Sequence, residues 1–408
     1  MVCLLARLIA ILSLLWSDTA CGADPFEILT RDGIRTHATV LQELGPEMFL
    51  YRADERDRTL AMTDLVGFQR VQETTPPSTG GGMLRLVNGD ILLGEIASLG
   101  DSRLDWILWP EDGSAAVRMT LPLEYVLGVS FGLSQADAMK SLVLRGSQKG
   151  ADRLKLSNGD ELTGDLTEMS LDQLSLETET GTTVVPLKTV RTILFNEELT
   201  ESPDRSPERT LVMLEPGTRI TLTDYLISRN STVSGKTVFG VSLEFSLSKL
   251  NSAVMLNSSV QPLSERDPES VEYRPFLSTI PPVRMNSGVR GGPLQIGRRS
   301  YLTGLGMQSR TKMSWRITPS DEFLIADMGL DIEAEQRGSL RFRILLDGEQ
   351  VFESSELTGG DPPQSIRLDL REKRTLTLIA DFGKDGDVLD LGVLGNALIL
   401  SQAVTSDR

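Results

Sequence analysis

The sequence predicts an all-β chain, with tandem small β-barrel-like repeats followed by a β-sandwich. Three observations carry that expectation. Alternating apolar residues run into Asn-Gly-Asp twice, at Leu84–Ile96 and at Leu154–Leu166. Beyond residue 274, short alternating segments recur between turn residues, at roughly the 8–12-residue spacing of an antiparallel sandwich. Helical periodicity is almost absent.

The repeat defines a unit. Leu84-Arg85-Leu86-Val87-Asn88-Gly89-Asp90 matches Leu154-Lys155-Leu156-Ser157-Asn158-Gly159-Asp160, and each is followed by a glycine, Gly94 or Gly164. Asn-Gly is a strong hairpin signal when both turn residues take positive φ. A glycine inside a strand suggests a bulge or bend, as a small barrel needs at its corners. The second half repeats as well. Leu121-Pro122-Leu123, Val126, Val129 and Phe131 match Val185-Pro186-Leu187, Val190, Ile193 and Phe195. Each unit is expected to hold four or five strands closing on themselves.

Two degenerate copies flank this pair. Asp32-Gly33 with Leu65-Val66-Gly67-Phe68 begins the series. Pro216-Gly217 with the alternation Leu243, Phe245, Leu250 ends it. The expected units are 24–73, 83–133, 152–198 and 209–260. The pattern resembles an SH3-like or Sm-like small barrel, on hairpin spacing alone. Segments rich in Pro, Gly and Ser at Thr74–Gly82, Ser202–Pro207 and Gln261–Pro268 read as linkers. Ser134 to Leu142 reads as one short helix with Ser134 as its cap.

The first 23 residues read as a cleaved signal peptide. Arg7 precedes the apolar run Leu8–Trp16, and small residues follow at Ala20, Gly22 and Ala23. The run is shorter than the ~20 residues a membrane span needs. An uncleaved anchor is the alternative. So is lipidation at Cys21, which Asp18 disfavours. The only cysteines are Cys3 and Cys21, so cleavage after Ala23 leaves no thiol for disulfides, catalysis or metal. Export is expected, to the periplasm, the cell surface or the medium. No second apolar stretch reaches membrane-spanning length. A net charge of −16 repels phosphate backbones, which argues against nucleic acid as a partner.

The C-terminal segments are explicit strands. Ser339–Leu345 alternates and turns at Asp347-Gly348, and Val351–Leu357 leads to Thr358-Gly359-Gly360-Asp361. Ser365–Leu370 and Thr375–Ile379 alternate again. Several of these stretches resemble the NPCBM domain, the carbohydrate-binding module first described with glycosyl hydrolase family 98. Tyr301-Leu302-Thr303-Gly304-Leu305-Gly306-Met307-Gln308-Ser309 is similar to its entry motif. Phe323 to Asp331 is similar to its next strand and turn. Gly338 to Ser354 is the most similar stretch, and Thr358-Gly359-Gly360 and Leu376-Thr377-Leu378 follow in order. The resemblance covers residues 276–402 and implies a galactose-binding-like sandwich of the jelly-roll kind that binds sugars or accompanies glycoside hydrolases. The family closes with Asp-His and then Trp. Here Leu391 and Leu394 stand at the His and Trp positions of Asp390–Ala397, which puts sugar affinity in doubt more than the fold.

Sugar recognition needs an aromatic face for C–H groups and amides or carboxylates for hydroxyls. Tyr301, Trp315, Phe342, Phe352 and Phe382 are the aromatic candidates, most of them at core-like strand positions. Trp315 and Tyr301 are the rings chosen for ligand contact, with Asp385, Asp387, Asp390 and Asn396 as polar candidates. The acidic, glycine-rich loop Asp381–Asp387 could instead hold calcium through Asp385 and Asp387. It lacks EF-hand spacing, and a solvated turn is the plainer reading.

Catalytic sets are missing. Gly128-Val129-Ser130-Phe131-Gly132 matches the nucleophile-elbow pattern. Ser130, however, aligns with Leu194 in an ordinary strand, and the only histidine, His37, precedes it. A single histidine excludes His-rich zinc sites, and no phosphate-binding glycine loop is present. A carboxylate-pair glycosidase is not excluded by composition. The sequence therefore predicts an exported, non-catalytic protein without an obligate cofactor. Its sandwich would bind a polysaccharide or glycan, and its repeats would serve as spacers or docking modules. The rival expectation is an envelope scaffold that contacts other proteins and has lost sugar binding.

Overall fold

The computed structural model describes residues 25–402 apart from 40, 44–46, 72–80, 101, 109–115, 144–149, 204, 205, 207, 275–282 and 385. The signal segment and most of the Thr74–Gly82 linker lie outside the described residues. The fold is all-β, with the one α-helix of the described residues at Gln135–Val143. Its cap is as expected, since the Asp137 N–H donates to the Ser134 hydroxyl. No described helix is long and apolar enough to cross a membrane.

One strand order recurs four times. In its second occurrence, Gly82–Leu86 pairs with Ile91–Gly100, which pairs with Arg103–Leu108, which pairs with Val117–Pro122. A 3-10 turn at Leu123–Tyr125 then leads to Val126–Phe131, which returns to the first strand. The same turn stands at Met62–Asp64, Leu187–Thr189 and Leu247–Lys249. One continuous apolar cluster, from Phe26 through Trp106 and Ile193 to Leu250, fills the interiors.

The opening hairpin differs from the expected turn. Only the glycine is left-handed, with φ of 90° at Gly89 and 95° at Gly159. The loop has three residues. Gly89 N–H donates to Leu86 O, and the Asn88 side chain takes the Asp90 N–H at 3.1 Å. This is a type I turn closed by a glycine bulge, so asparagine contributes its side chain rather than its φ.

Gly94 marks where its strand leaves one partner for the next, because it pairs with both Gly82 and Leu108. A Cβ there would overlap the Ile107 carbonyl oxygen and crowd the Trp106 indole. In the last unit the volumes are exchanged, and Leu222 packs over Gly235. The units associate through their final strands. Gly128 pairs with Leu194, and Gly67 pairs with Val254. A side chain at Gly67 would overlap the Ala253 carbonyl, and one at Gly128 that of Ile193.

Two facing antiparallel sheets form the C-terminal sandwich. One runs Val283–Met285, Gly304–Gln308, Leu391–Ser401, Asp321–Leu330, Gln364–Asp369. The other runs Ser270–Tyr273, Thr311–Arg316, Thr375–Phe382, Ser339–Leu346, Glu349–Glu353. Gln261–Pro268 is no linker. Val260–Pro262 pairs with Leu398–Leu400, and Leu263 is fully buried in the sandwich core. Val260 and Leu263 supply the apolar anchors, and Pro262 falls on an end strand where its missing N–H is tolerated.

The repeats dock on the first sheet. Leu29, Val66 and Val254 from the repeats meet Leu302, Ile325 and Leu398 from the sandwich in one buried cluster. Lys140 of the helix pairs with Glu333 at 2.8 Å.

Two predictions follow from this packing. Gly94→Ala should destabilise the chain by about 2–3 kcal/mol, read as a fall in the denaturant midpoint at unchanged slope. The second concerns Glu43, which accepts the Ile227 N–H across the first and last units at 3.1 Å. Burial pushes its carboxyl up to about 7, against the pull of that N–H. The folded state then holds more protons than the unfolded one between about pH 4.3 and 7. Stability from this group therefore falls as pH rises through that window. Glu43→Gln keeps an acceptor and removes the titration. Its Tm should exceed that of the parent at pH 8 and match it near pH 4. Equal Tm differences at both pH values would contradict the assignment.

Candidate functional site

Most of the residues chosen from sequence are structural. Trp315 is 1% exposed, and its indole N–H donates to Arg266 O at 3.1 Å. Tyr301 is also 1% exposed, packed among Leu294, Ile296 and Val393 with its ring on Gly395. Neither ring offers a face to a sugar. Burial and the Asp327 carboxylate push the Tyr301 hydroxyl's pKa upward. Asp390 is fully buried and receives the Ser339 N–H at 3.2 Å, so it anchors a loop. Asn396 has φ of 45°, donates its N–H to Thr303 O, and lines the seam facing the repeats. Alternation hid this distinction, because a ligand-facing ring and a core ring have the same period.

Asp387 stays half-buried in its loop, and Asp385 lies outside the described residues. Among the described residues, no three His, Cys, Asp or Glu side chains are grouped to hold a metal ion. Leu391 and Leu394 are both core residues, 2% and 0% exposed. They pack the last strand at the positions where the resemblance implies His and Trp. Ser130 is 1% exposed in a strand, and its hydroxyl donates to Arg191 O. His37 is an exposed strand residue, as expected.

A different group of residues gathers at one loop end of the sandwich. Phe382 ends its strand half-exposed. The guanidinium of Arg310, in the tight turn after the Gly304–Gln308 strand, lies 5.4 Å from the ring centroid. Asp381 sits between two cations, with Arg310 Nε at 3.4 Å and Arg343 in closer contact. Arg341 pairs with Glu356 at 3.2 Å, in the loop that follows the Glu349–Glu353 strand. The loop that follows Phe382 is held at both ends by Ser339: Gly383 N–H donates to its carbonyl, and Asp390 accepts its N–H.

The chemistry of this end is that of a polar ring-binding surface. A half-exposed aromatic ring can take C–H groups. Planar guanidinium and carboxylate groups beside it can donate to and accept from neighbouring hydroxyls. Phe382 and the acidic loop were visible in the sequence. Arg310 was missed, although it immediately follows the entry motif that ends at Ser309.

Residues 261–400 match the family model described as the NPCBM/NEW2 domain. The span coincides with the sandwich strands and takes in the strand at Val260–Pro262. This part of the chain is thus similar to a class of carbohydrate-binding module. A search of curated proteins finds no match. Among solved structures, the chain is similar to the CBM51 module of a Clostridium perfringens family 95 glycoside hydrolase in complex with methyl-galactose. That match has 23% identity and a TM-score of 0.32, and it covers 35% of this chain and 99% of that one. CBM51-2 with the INT domains of Clostridium perfringens ZmpB, in complex with GlcNAc, is 14% identical with a TM-score of 0.33. It covers 55% of this chain and 44% of that one. The tandem CBM51 modules of a family 98 glycoside hydrolase from Streptococcus pneumoniae are 11% identical with a TM-score of 0.31, covering 82% and 93%.

The anchoring role of Asp390 is testable. Asp390→Ala should leave the Ser339 N–H buried and unpaired, at a cost of about 1–3 kcal/mol. It should also speed amide hydrogen exchange across 383–390 before any other part of the sandwich.

Proposed function

We propose that the C-terminal sandwich binds a glycan at its Arg310–Phe382 end, and that the protein is exported and non-catalytic. The observation that carries this reading is the family match over 261–400, which falls on a sandwich whose loop end presents Phe382, Arg310 and Asp381 together. The four strand units, at 24–73, 83–133, 152–198 and 209–260, act as a rigid platform that docks the module and presents its free end. Export rests on Arg7, the apolar run Leu8–Trp16 and the small residues at Ala20 and Ala23.

A second reading has its own support. Trp315 and Tyr301 are buried, and leucines occupy 391 and 394. A module that has exchanged sugar contacts for core packing would serve as a scaffold for envelope proteins.

Two measurements separate these readings. The full chain and its Phe382→Ala and Arg310→Ala variants go onto a glycan array that includes galactose- and N-acetylglucosamine-terminated chains. Glycan recognition predicts saturable binding that each variant weakens at least ~10-fold, or about 1.4 kcal/mol. Parent protein that binds no glycan would leave the scaffold reading. Mass spectrometry of the protein recovered from cells should show a new N-terminus after Ala20 or Ala23. An intact Met1 would contradict export by cleavage.

A further inference from the structure

The seam between the repeats and the sandwich encloses a cavity of about 360 Å³. Its walls come from three places: the first turn of the Gln135–Val143 helix, the last unit at Leu214–Arg219 and Asn251, and the sandwich loops at Pro293–Tyr301 and Asp331–Glu333. The volume lies in the range of small-molecule sites. It is separate from the Phe382 end, none of whose residues line it.

The polar groups in this cavity are unevenly committed. Lys140, on the helix that lines it, is paired with Glu333. Arg219 is half-buried and spends two donors on the Asn286 and Leu302 carbonyls. Asp331 is 5% exposed, and its Oδ1 takes the Glu333 N–H at 3.0 Å. Burial pushes its carboxyl up to about 7, against the pull of that N–H. Two buried atoms keep unused capacity. Asn251 is 2% exposed, and its Oδ1 has no partner among the described residues. Arg219 Nε is likewise without one. Leaving such atoms unpaired costs about 1–3 kcal/mol each, which a ligand hydroxyl or ordered water would recover. Gln135 adds an amide at the rim, and Met139, Leu214 and Leu294 supply apolar wall.

We infer that this cavity is a binding site for a small neutral polyhydroxylated molecule of monosaccharide size, held jointly by the repeats and the sandwich. Lys140 is paired with Glu333, Arg219 is committed to carbonyl oxygens, and the wall carries the carboxyl groups of Glu215, Asp331 and Glu333, so an anionic ligand gains little here. An acceptor, a donor and an amide beside apolar wall suit a molecule that presents hydroxyls on one side and C–H groups on the other. Such a ligand would tie the two parts of the chain together, because each contributes contacts.

The test uses the full chain with galactose, glucose, N-acetylglucosamine and myo-inositol as probes, followed by saturation-transfer NMR and calorimetry. Ala136, half-buried on the first helical turn, lines the cavity. Ala136→Phe fills the space, and Asn251→Leu removes the free acceptor. Both are checked for native melting, and Ala136→Phe decides alone if Asn251→Leu fails to fold. The inference expects at least one probe to saturate, with ~10-fold or greater loss in these variants and none in Phe382→Ala. No saturation by any probe overturns it. So does binding that survives Ala136→Phe. Binding lost only in Phe382→Ala overturns it too, and assigns the sugar to the sandwich end, so this site and the proposed glycan site fail separately.

Discussion

Asp327 lies in the middle of a sandwich strand, fully buried, and its cation comes from the first repeat. Arg35 pairs with it at 2.7 Å and with Glu27 at 2.6 Å. Arg299 from a sandwich loop completes the group by pairing with Glu27 at 2.6 Å. Burial alone would raise the Glu27 carboxyl, yet the hydrogen bond and charge of Arg299, joined by Arg35, pull it below the usual carboxylate range. Removing one partner of a buried pair costs about 3–5 kcal/mol, because the other charge is stranded. The sandwich strand and the first repeat therefore require each other. The apolar cluster around Val66 and Leu398 supplies the burial that makes the ion pair strong enough to matter.

This docking decides which parts of the sandwich can meet a partner. The sheet containing Asp321–Leu330 and Leu391–Ser401 turns its outer side to the repeats, which is why Ile325 and Leu398 are buried and Asn396 lines the seam, whereas Tyr301 is covered by its own loop at Leu294 and Ile296. The other sheet keeps its Arg310–Phe382 end in solvent. The repeats thus shape function by exclusion: they cover one face and leave the Arg310–Phe382 end open. Where the two parts meet imperfectly, buried polar atoms such as Asn251 Oδ1 are left over, and the seam acquires chemistry of its own.

The architecture was legible because strand patterning is local. The paired Asn-Gly-Asp segments, the Pro-Leu turn before the last strand of the two central units and the C-terminal alternation each report on neighbours within a few residues. The helix was legible for the same reason, through Ser134. The site was not, because it depends on contacts between residues far apart in sequence. Alternation cannot tell that Trp315 faces inward while Phe382 ends a strand in solvent. Asp387 and Asp390 stand three residues apart, yet Asp390 is spent on Ser339 while Asp387 stays half-buried. Nothing in the sequence around Arg35 or Arg219 signals that their partners lie in another part of the chain. The linker assigned to Gln261–Pro268 failed because two prolines outweighed Val260 and Leu263, whose burial needs a sheet that forms only much later in the chain.

Hydrogen–deuterium exchange of the full chain, with and without a glycan that it binds, tests the central claim most directly. Glycan recognition at the open end predicts slower exchange at Arg310, Arg341–Arg343 and 381–390, with the four repeats unchanged. Protection confined to the repeats, or to the sandwich end around Arg316 and 370–374, would contradict it.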